Sequence, residues 1–146
     1  KNKMIRQIKL KDRVQWEKLY RDYANFSGVK VNKKIIQTVW NWLHDKTHKL
    51  KCLVYEIDRE IVAFAIYTSM PRTLSGKNIG FLDDLFVDAN FRGKRIGEKL
   101  LSKLKHIAGY KNWDFVRWIS RQDNLPANKL YSRVAEKTTW DIYEIR

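Results

Sequence analysis

The stretch IGFLDDLFVDANFRGKRIGEKLL, residues 79–101, decides how this chain folds. Residues 79–87 are large and apolar apart from two aspartates set in their middle, a composition that predicts a strand. Beyond residue 95 the period changes: Ile96, Leu100, Leu104 and Ile107 recur every three or four positions, which marks the core face of a helix. The joint between them, Arg92-Gly93-Lys94-Arg95-Ile96-Gly97, is basic and carries two glycines. WDFVRWIS (113–120) then reads as another strand, so the stretch opens a strand–helix–strand unit.

Upstream, CLVYEID (52–58) and EIVAFAIYTSM (60–70) read as strands joined by a tight turn at Asp58-Arg59, an antiparallel hairpin. MIRQIKL (4–10) alternates like a strand. Residues 12–27 place Val14, Leu19, Tyr20 and Tyr23 near helical spacing after an N-cap candidate, Asp12. A second helix is predicted over 31–45, with Ile35, Ile36, Val39, Trp40 and Leu43 as its apolar stripe. Downstream, PANKLYSRVA (126–135) predicts a short helix with Pro126 suited to its first position, and TTWDIYEI (138–145) a closing strand. The order β-α-α-β-β-β-α-β-α-β defines an α/β (α+β) fold in which a mixed, mostly antiparallel central sheet is flanked by helices. With two prolines, six glycines and no repeat or linker-like tract, residues 1–146 are expected to form one domain.

Composition narrows the function classes. A chain of 146 residues, 44% hydrophobic and 13% aromatic, holds enough apolar side chain for one core; this argues against both a two-domain enzyme and disorder. The 30 Lys and Arg against 16 Asp and Glu leave a net charge of +14, which points to a polyanionic partner. That charge is unevenly spread. Residues 1–34 carry 11 basic and three acidic side chains, residues 89–112 seven and one, and residues 79–88 only the acids Asp83, Asp84 and Asp88.

A lone cysteine, Cys52, lies in an apolar run and reads as a buried thiol in a reducing compartment. No apolar run approaches the ~20 residues of a membrane span, so no membrane role and a cytoplasmic location are expected. His44 and His48 stand four apart without a glutamate beside them, and His106 is distant, so no metal site is expected.

The Arg92–Gly97 joint is a phosphate-binding candidate, because the free N–H groups of a helix start point at an anion there. Gly93 permits close backbone approach, Gly97 removes a side chain from the first turn, and Arg92, Lys94 and Arg95 add charge. A solvated basic helix start has the same composition. A Walker A loop is excluded, since Gly76-Lys77 lacks the upstream glycine and the following Ser or Thr.

With Asn124, Ala127 and Tyr131 in DNLPANKLY, these elements resemble the GNAT superfamily of acetyl-CoA-dependent N-acetyltransferases. Arg92 and Gly97 match the ends of its Q/R-x-x-G-x-G/A signature. Arg95 replaces the middle glycine and is expected in helical rather than positive φ, while bringing a cation to the pyrophosphate. The chain is most similar to the diamine and polyamine acetyltransferase branch, through Leu82-Asp83-Asp84-Leu85-Phe86-Val87 and Trp140-Asp141-Ile142-Tyr143.

The resemblance implies that the pantetheine arm of acetyl-CoA lies along Leu85, Phe86 and Val87. It places the pyrophosphate on Arg92, Gly93, Lys94, Arg95, Ile96 and Gly97, with Asn124, Lys129 and Tyr131 facing from the other side. Asn124 reads equally well as a helix N-cap. The resemblance further implies Asp83 as a base acting through water, Asp84 as a group holding substrate or structure, and Tyr131 as the general acid. Trp40 lies in the helical region that walls the substrate, where a core role competes.

The expected reaction is transfer of acetyl from acetyl-CoA, without a metal, to the primary amine of a polyamine-like small molecule within a ternary complex. Protein lysine or N-terminal amines are the alternative acceptors, and the resemblance leaves a homodimer open. A basic nucleic-acid-binding module is the competing class, but RNP, KH and recognition-helix signatures are lacking.

Overall fold

In a computed structural model that describes residues 1–146, the hairpin forms around Asp58 and Arg59, both left-handed with φ of 49° and 71°. Two consecutive positive φ values give the two-residue turn whose twist matches its flanking strands, β2 (Lys51–Ile57) and β3 (Glu60–Arg72). β1 (Lys3–Gln7) joins the outer edge of β2 antiparallel, and β4 (Lys77–Val87) joins β3 antiparallel. β5 (Val116–Trp118) is parallel to β4, so the sheet runs β1-β2-β3-β4-β5, mixed and mostly antiparallel as expected.

Helices cover both faces. α1 (Arg13–Phe26) and α2 (Lys33–His44) bring Trp16, Leu19, Ile36, Trp40 and Leu43 against Val54, Phe64, Ile66 and Phe86. α3 (Ile96–Lys111) lays Ile96, Leu100, Leu104 and Ile107 on the opposite face against Leu53, Tyr55, Val62 and Leu82, with Leu130 and Tyr131 of α4 (Leu125–Val134) beside them. β3 is central and covered twice, which explains why its sequence is continuously apolar where a one-sided strand would alternate. Cys52 is fully buried, and burial pushes its thiol well above the ordinary range.

Two expectations are corrected. Asp12 does not cap α1; its own backbone is already helical at φ −84°, ψ 0°. Its carboxylate instead accepts from the Lys9 N–H at 2.7 Å and from both terminal nitrogens of Arg6 at 2.7 and 2.9 Å, while Arg6 also reaches Glu56 at 2.8 Å. The second correction concerns residues 138–145, which form no strand: Trp140, Ile142, Tyr143 and Ile145 are 77%, 57%, 90% and 103% exposed. The alternation that predicted a strand is present, but β5 offers only a three-residue edge, too short to template it. No helix is long and apolar enough to cross a membrane.

Candidate active site

The site is built where β4 leaves β5. The two strands are in register only over Gly80–Leu82 and Val116–Trp118. Gly80 fixes the foot of this junction, since a Cβ there would sit 2.5 Å from the Trp113 ring. From Asp83 to Val87 no β5 residue is registered against β4, which leaves one edge of the strand open.

A bulge coincides with this divergence. Tyr67 registers with Leu82 and Ile66 with Asp84, so Asp83 is one extra residue in β4. The strict alternation that would separate Asp83 from Asp84 is interrupted there. Beyond the bulge, Asp84 and Phe86 look toward α1, while Leu85 and Val87 look toward α3.

Asp84 is partly buried and accepts a short hydrogen bond from the Tyr23 hydroxyl. Burial raises its carboxyl above the usual range, and the Tyr23 bond pulls the other way. The Tyr23 phenol is raised in turn by burial and by the charge of Asp84. Asp83 remains exposed on the bulge, but its surroundings strip enough water from its charge to lift the carboxyl to about 6, with the charge of Asp84 adding to the rise. Neither aspartate forms an ion pair.

Around Tyr23 stands an aromatic wall. Its ring lies 5.7 Å from both Phe64 and Phe86 and 6.1 Å from Tyr20, and Phe26 stands 6.1 Å from Phe86. Tyr20 and Tyr23, which the sequence shows only near helical spacing, carry polar tips one turn apart, and that is the sequence signal for this wall.

The turn into α3 follows. Gly93 takes φ +79°, and so, against expectation, does Arg95 take a positive value, φ +61°. Arg95 occupies the left-handed N-cap position that the motif glycine would fill, because the direction of the chain, rather than the residue, sets that angle. No side chain caps α3, whose first helical bond runs from the Lys99 N–H to the Arg95 carbonyl at 3.0 Å. The N–H groups ahead of Lys99 therefore face outward for an anion.

Gly97 has a packing reason. A Cβ would lie 3.3 Å from Leu130 and 3.9 Å from Val87, so its absence lets α4 close over the turn. Arg92 donates its Nε–H to the Val87 carbonyl at 3.1 Å and stacks over Phe26 and Phe86 at 5.2 and 5.4 Å. Lys94 stands 5.3 Å from the Phe91 ring.

Across the opening, Tyr131 sets its ring 5.2 Å from Trp118 in an edge contact, and burial raises its phenol. Asn124 caps α4, accepting from the Ala127 N–H at 3.4 Å, and Lys129 is exposed on the same helix. Trp40 is buried, with its ring 5.2 Å from Trp16 and 4.1 Å from His44 and Arg13 across it; this geometry makes it part of the core rather than a wall open to ligand. His44 turns one ring nitrogen to the Trp40 carbonyl and His48 stacks on Trp42, and no group of three or more His, Cys, Asp or Glu could hold a metal.

An open β-edge beside an uncapped helix start fits a carrier made of an amide-bearing arm and a pyrophosphate, and comparison with known proteins agrees. Residues 15–135 match the model of the acetyltransferase (GNAT) family. The D-amino-acid N-acetyltransferase HPA3 of Saccharomyces cerevisiae is 26% identical over 97% of this chain and 89% of its own length. An uncharacterized N-acetyltransferase of Archaeoglobus fulgidus is 32% identical over 68% of each chain. In three dimensions, a possible acetyltransferase from Clostridium difficile 630 superposes with a TM-score of 0.88 at 22% identity, over 100% of this chain and 98% of that one. The chain belongs to the acetyltransferase (GNAT) family. It is an N-acetyltransferase, of a family whose acyl donor is acetyl-CoA.

Proposed function

We propose that this enzyme acetylates the primary amine of a small cationic molecule by direct attack on acetyl-CoA in a ternary complex. The observation that carries this reading is the aspartate pair at the β4 bulge, the one strongly acidic stretch of a basic chain, set where the strand edge opens. The Arg92–Gly97 turn, with its outward N–H groups, would hold the pyrophosphate, the open edge of Leu85, Phe86 and Val87 the pantetheine arm, and α4 with Asn124, Lys129 and Tyr131 the far side. The yeast relative, a D-amino-acid N-acetyltransferase, adds D-amino acids to the polyamine-like amines as acceptors to test.

An alkylamine with a pKa of ~10.4 arrives protonated at neutral pH and must lose a proton before it can attack. Asp84 pairs with the ammonium, and Asp83 takes its proton through a water. The neutral nitrogen then forms the new C–N bond as the C–S bond breaks, and its second proton ends on the sulfur; Asp83 returns the first to solvent. Tyr131 supplies a hydrogen bond to the developing thiolate. Full proton transfer from a phenol at ~10 to a thiolate whose acid is near ~8.5 is uphill by roughly 2 kcal/mol, and burial of Tyr131 widens that gap.

A panel of diamines, polyamines, D- and L-amino acids and lysine peptides, incubated with acetyl-CoA and read by released CoA thiol, tests the proposal. Turnover of small amines is expected, with an acidic limb near pH 6 as Asp83 protonates. CoA at a hundred times its Kd should also stabilise the fold by ~2–3 kcal/mol. Turnover confined to peptides, or no stabilisation by CoA, would overturn it.

A further inference from the structure

Adjacent carboxylates divide acid–base work only if something makes them unlike. Here the asymmetry comes from α1. Asp84 has a hydrogen-bond donor in the Tyr23 hydroxyl, whereas Asp83, one residue away on the bulge, makes no side-chain hydrogen bond and stays open to water. Tyr23 is held firmly for that role. Phe64 meets its ring edge-on, Phe86 and Tyr20 flank it, and the helix that carries it is pinned to the sheet by the fully buried Trp16 and by Leu19.

We propose that Tyr23 is the positioning residue of the acceptor site: its hydroxyl fixes Asp84 as the standing anion that receives the ammonium, and so leaves Asp83 as the group that accepts the proton. This rests on the acyl-transfer reading above and assigns the two carboxylates within it.

The surroundings permit no other partner to set the pair. From α1 the facing groups are Tyr20 and Tyr23, from β2 the Cys52 thiol, and from β4 Asp83 itself. No Lys or Arg occurs between residues 79 and 91. Burial raises Asp84, and the Tyr23 bond acts against that rise in favour of the charged form, whose charge in turn raises Asp83. Removing the hydroxyl leaves a partly buried carboxylate without its donor, so Asp84 takes up a proton more readily and Asp83 is released toward ordinary carboxylate behaviour.

The test is Tyr23→Phe, with the side-chain carboxyls of Asp83 and Asp84 titrated by carbon NMR in the free protein and steady-state kinetics run alongside. The expected result is convergence or inversion of the two titrations, a KM for the amine raised ~10-fold, and an acidic limb of kcat displaced toward lower pH. Asp84→Asn, which keeps an acceptor for Tyr23 but removes the charge, should likewise raise KM and lower the Asp83 titration. Asp83→Asn should lower kcat while leaving KM nearly unchanged. A Tyr23→Phe protein whose titrations and pH limb match the wild type would overturn the inference, even if its melting temperature fell. Wild-type protein that acetylates no amine would overturn the acyl-transfer reading instead; the NMR titrations, made without substrate, decide the role of Tyr23 in that case too.

Discussion

Tyr131 illustrates how little a functional side chain need contribute to folding. Its ring packs on Trp118, but only burial perturbs its hydroxyl, with no hydrogen bond or nearby charge acting on it. Tyr131→Phe should therefore lower kcat by ~10–10³ with little change in melting temperature; unchanged turnover in a folded variant would remove the thiolate-stabilising role. Arg95 is the opposite case, a residue whose backbone is strained where it stands. Arg95→Gly should stabilise the protein by about 1 kcal/mol, measured by denaturant unfolding, while the loss of a cation beside the phosphates raises the KM for acetyl-CoA. A loss of stability would show that the guanidinium, 3.4 Å from Glu98, matters more to the fold than the left-handed angle does.

At the level of elements, the junction of β4 with β5 depends on a missing side chain. Gly80→Ala would drive a methyl group into the Trp113 ring, and a cost of ~1–3 kcal/mol is expected in thermal or denaturant unfolding. Lower affinity for CoA should accompany it, because the open edge starts from that junction. What the sequence made legible follows the same division between local and distant causes. The hairpin, the helices and the basic turn were readable because their signals, a two-residue turn and 3.6-residue stripes, lie within the segments themselves. The bulge at Asp83 was not, because an extra residue in β4 is defined only by its register with β3. Arg95 in a left-handed conformation and Tyr23 bonded to Asp84 were hidden for the same reason: one angle is imposed by the path of the chain, and the other contact joins residues 61 apart. For 138–145 the alternating pattern was visible, but no pattern within a segment reports whether a partner edge is long enough to receive it.

For the molecule as a whole, acid tolerance is set by two sets of carboxyls with opposite signs. Burial alone would raise Asp12, but its bonds from Arg6 and the Lys9 N–H hold it below the ordinary range. Its stabilising effect is therefore complete above about pH 4 and is lost as pH falls through its lowered value. Asp83 and Asp84, both raised, take up protons in the folded state first, so their contribution grows as pH falls from 7 toward 4. Stability against urea should thus rise slightly from pH 7 to about 4.5 and drop steeply below 4. Arg6→Ala should shrink that drop without removing it, because the Lys9 N–H still holds Asp12 down and Glu17, Asp45 and Glu98 are also lowered by their own partners. It should cost ~3–5 kcal/mol at neutral pH, since it strands a buried carboxylate. An acid profile unaltered in Arg6→Ala would place the acid sensitivity elsewhere.

The bulge also constrains how the sheet itself can vary. Asp83 is a spacer as well as an acid: by occupying one position without a partner, it sets Leu82 on the α3 side and Asp84 on the α1 side. Substituting Asp83 exchanges its chemistry and leaves the spacing intact. Deleting it would close the bulge into a regular ladder, with Leu82 still opposite Tyr67 and Asp84 still opposite Ile66, so the apolar faces would be kept while the local bend and the free carboxyl were lost. The core of this sheet therefore tolerates the loss of the position, whereas the bend in β4 and the proton-accepting carboxyl depend on it.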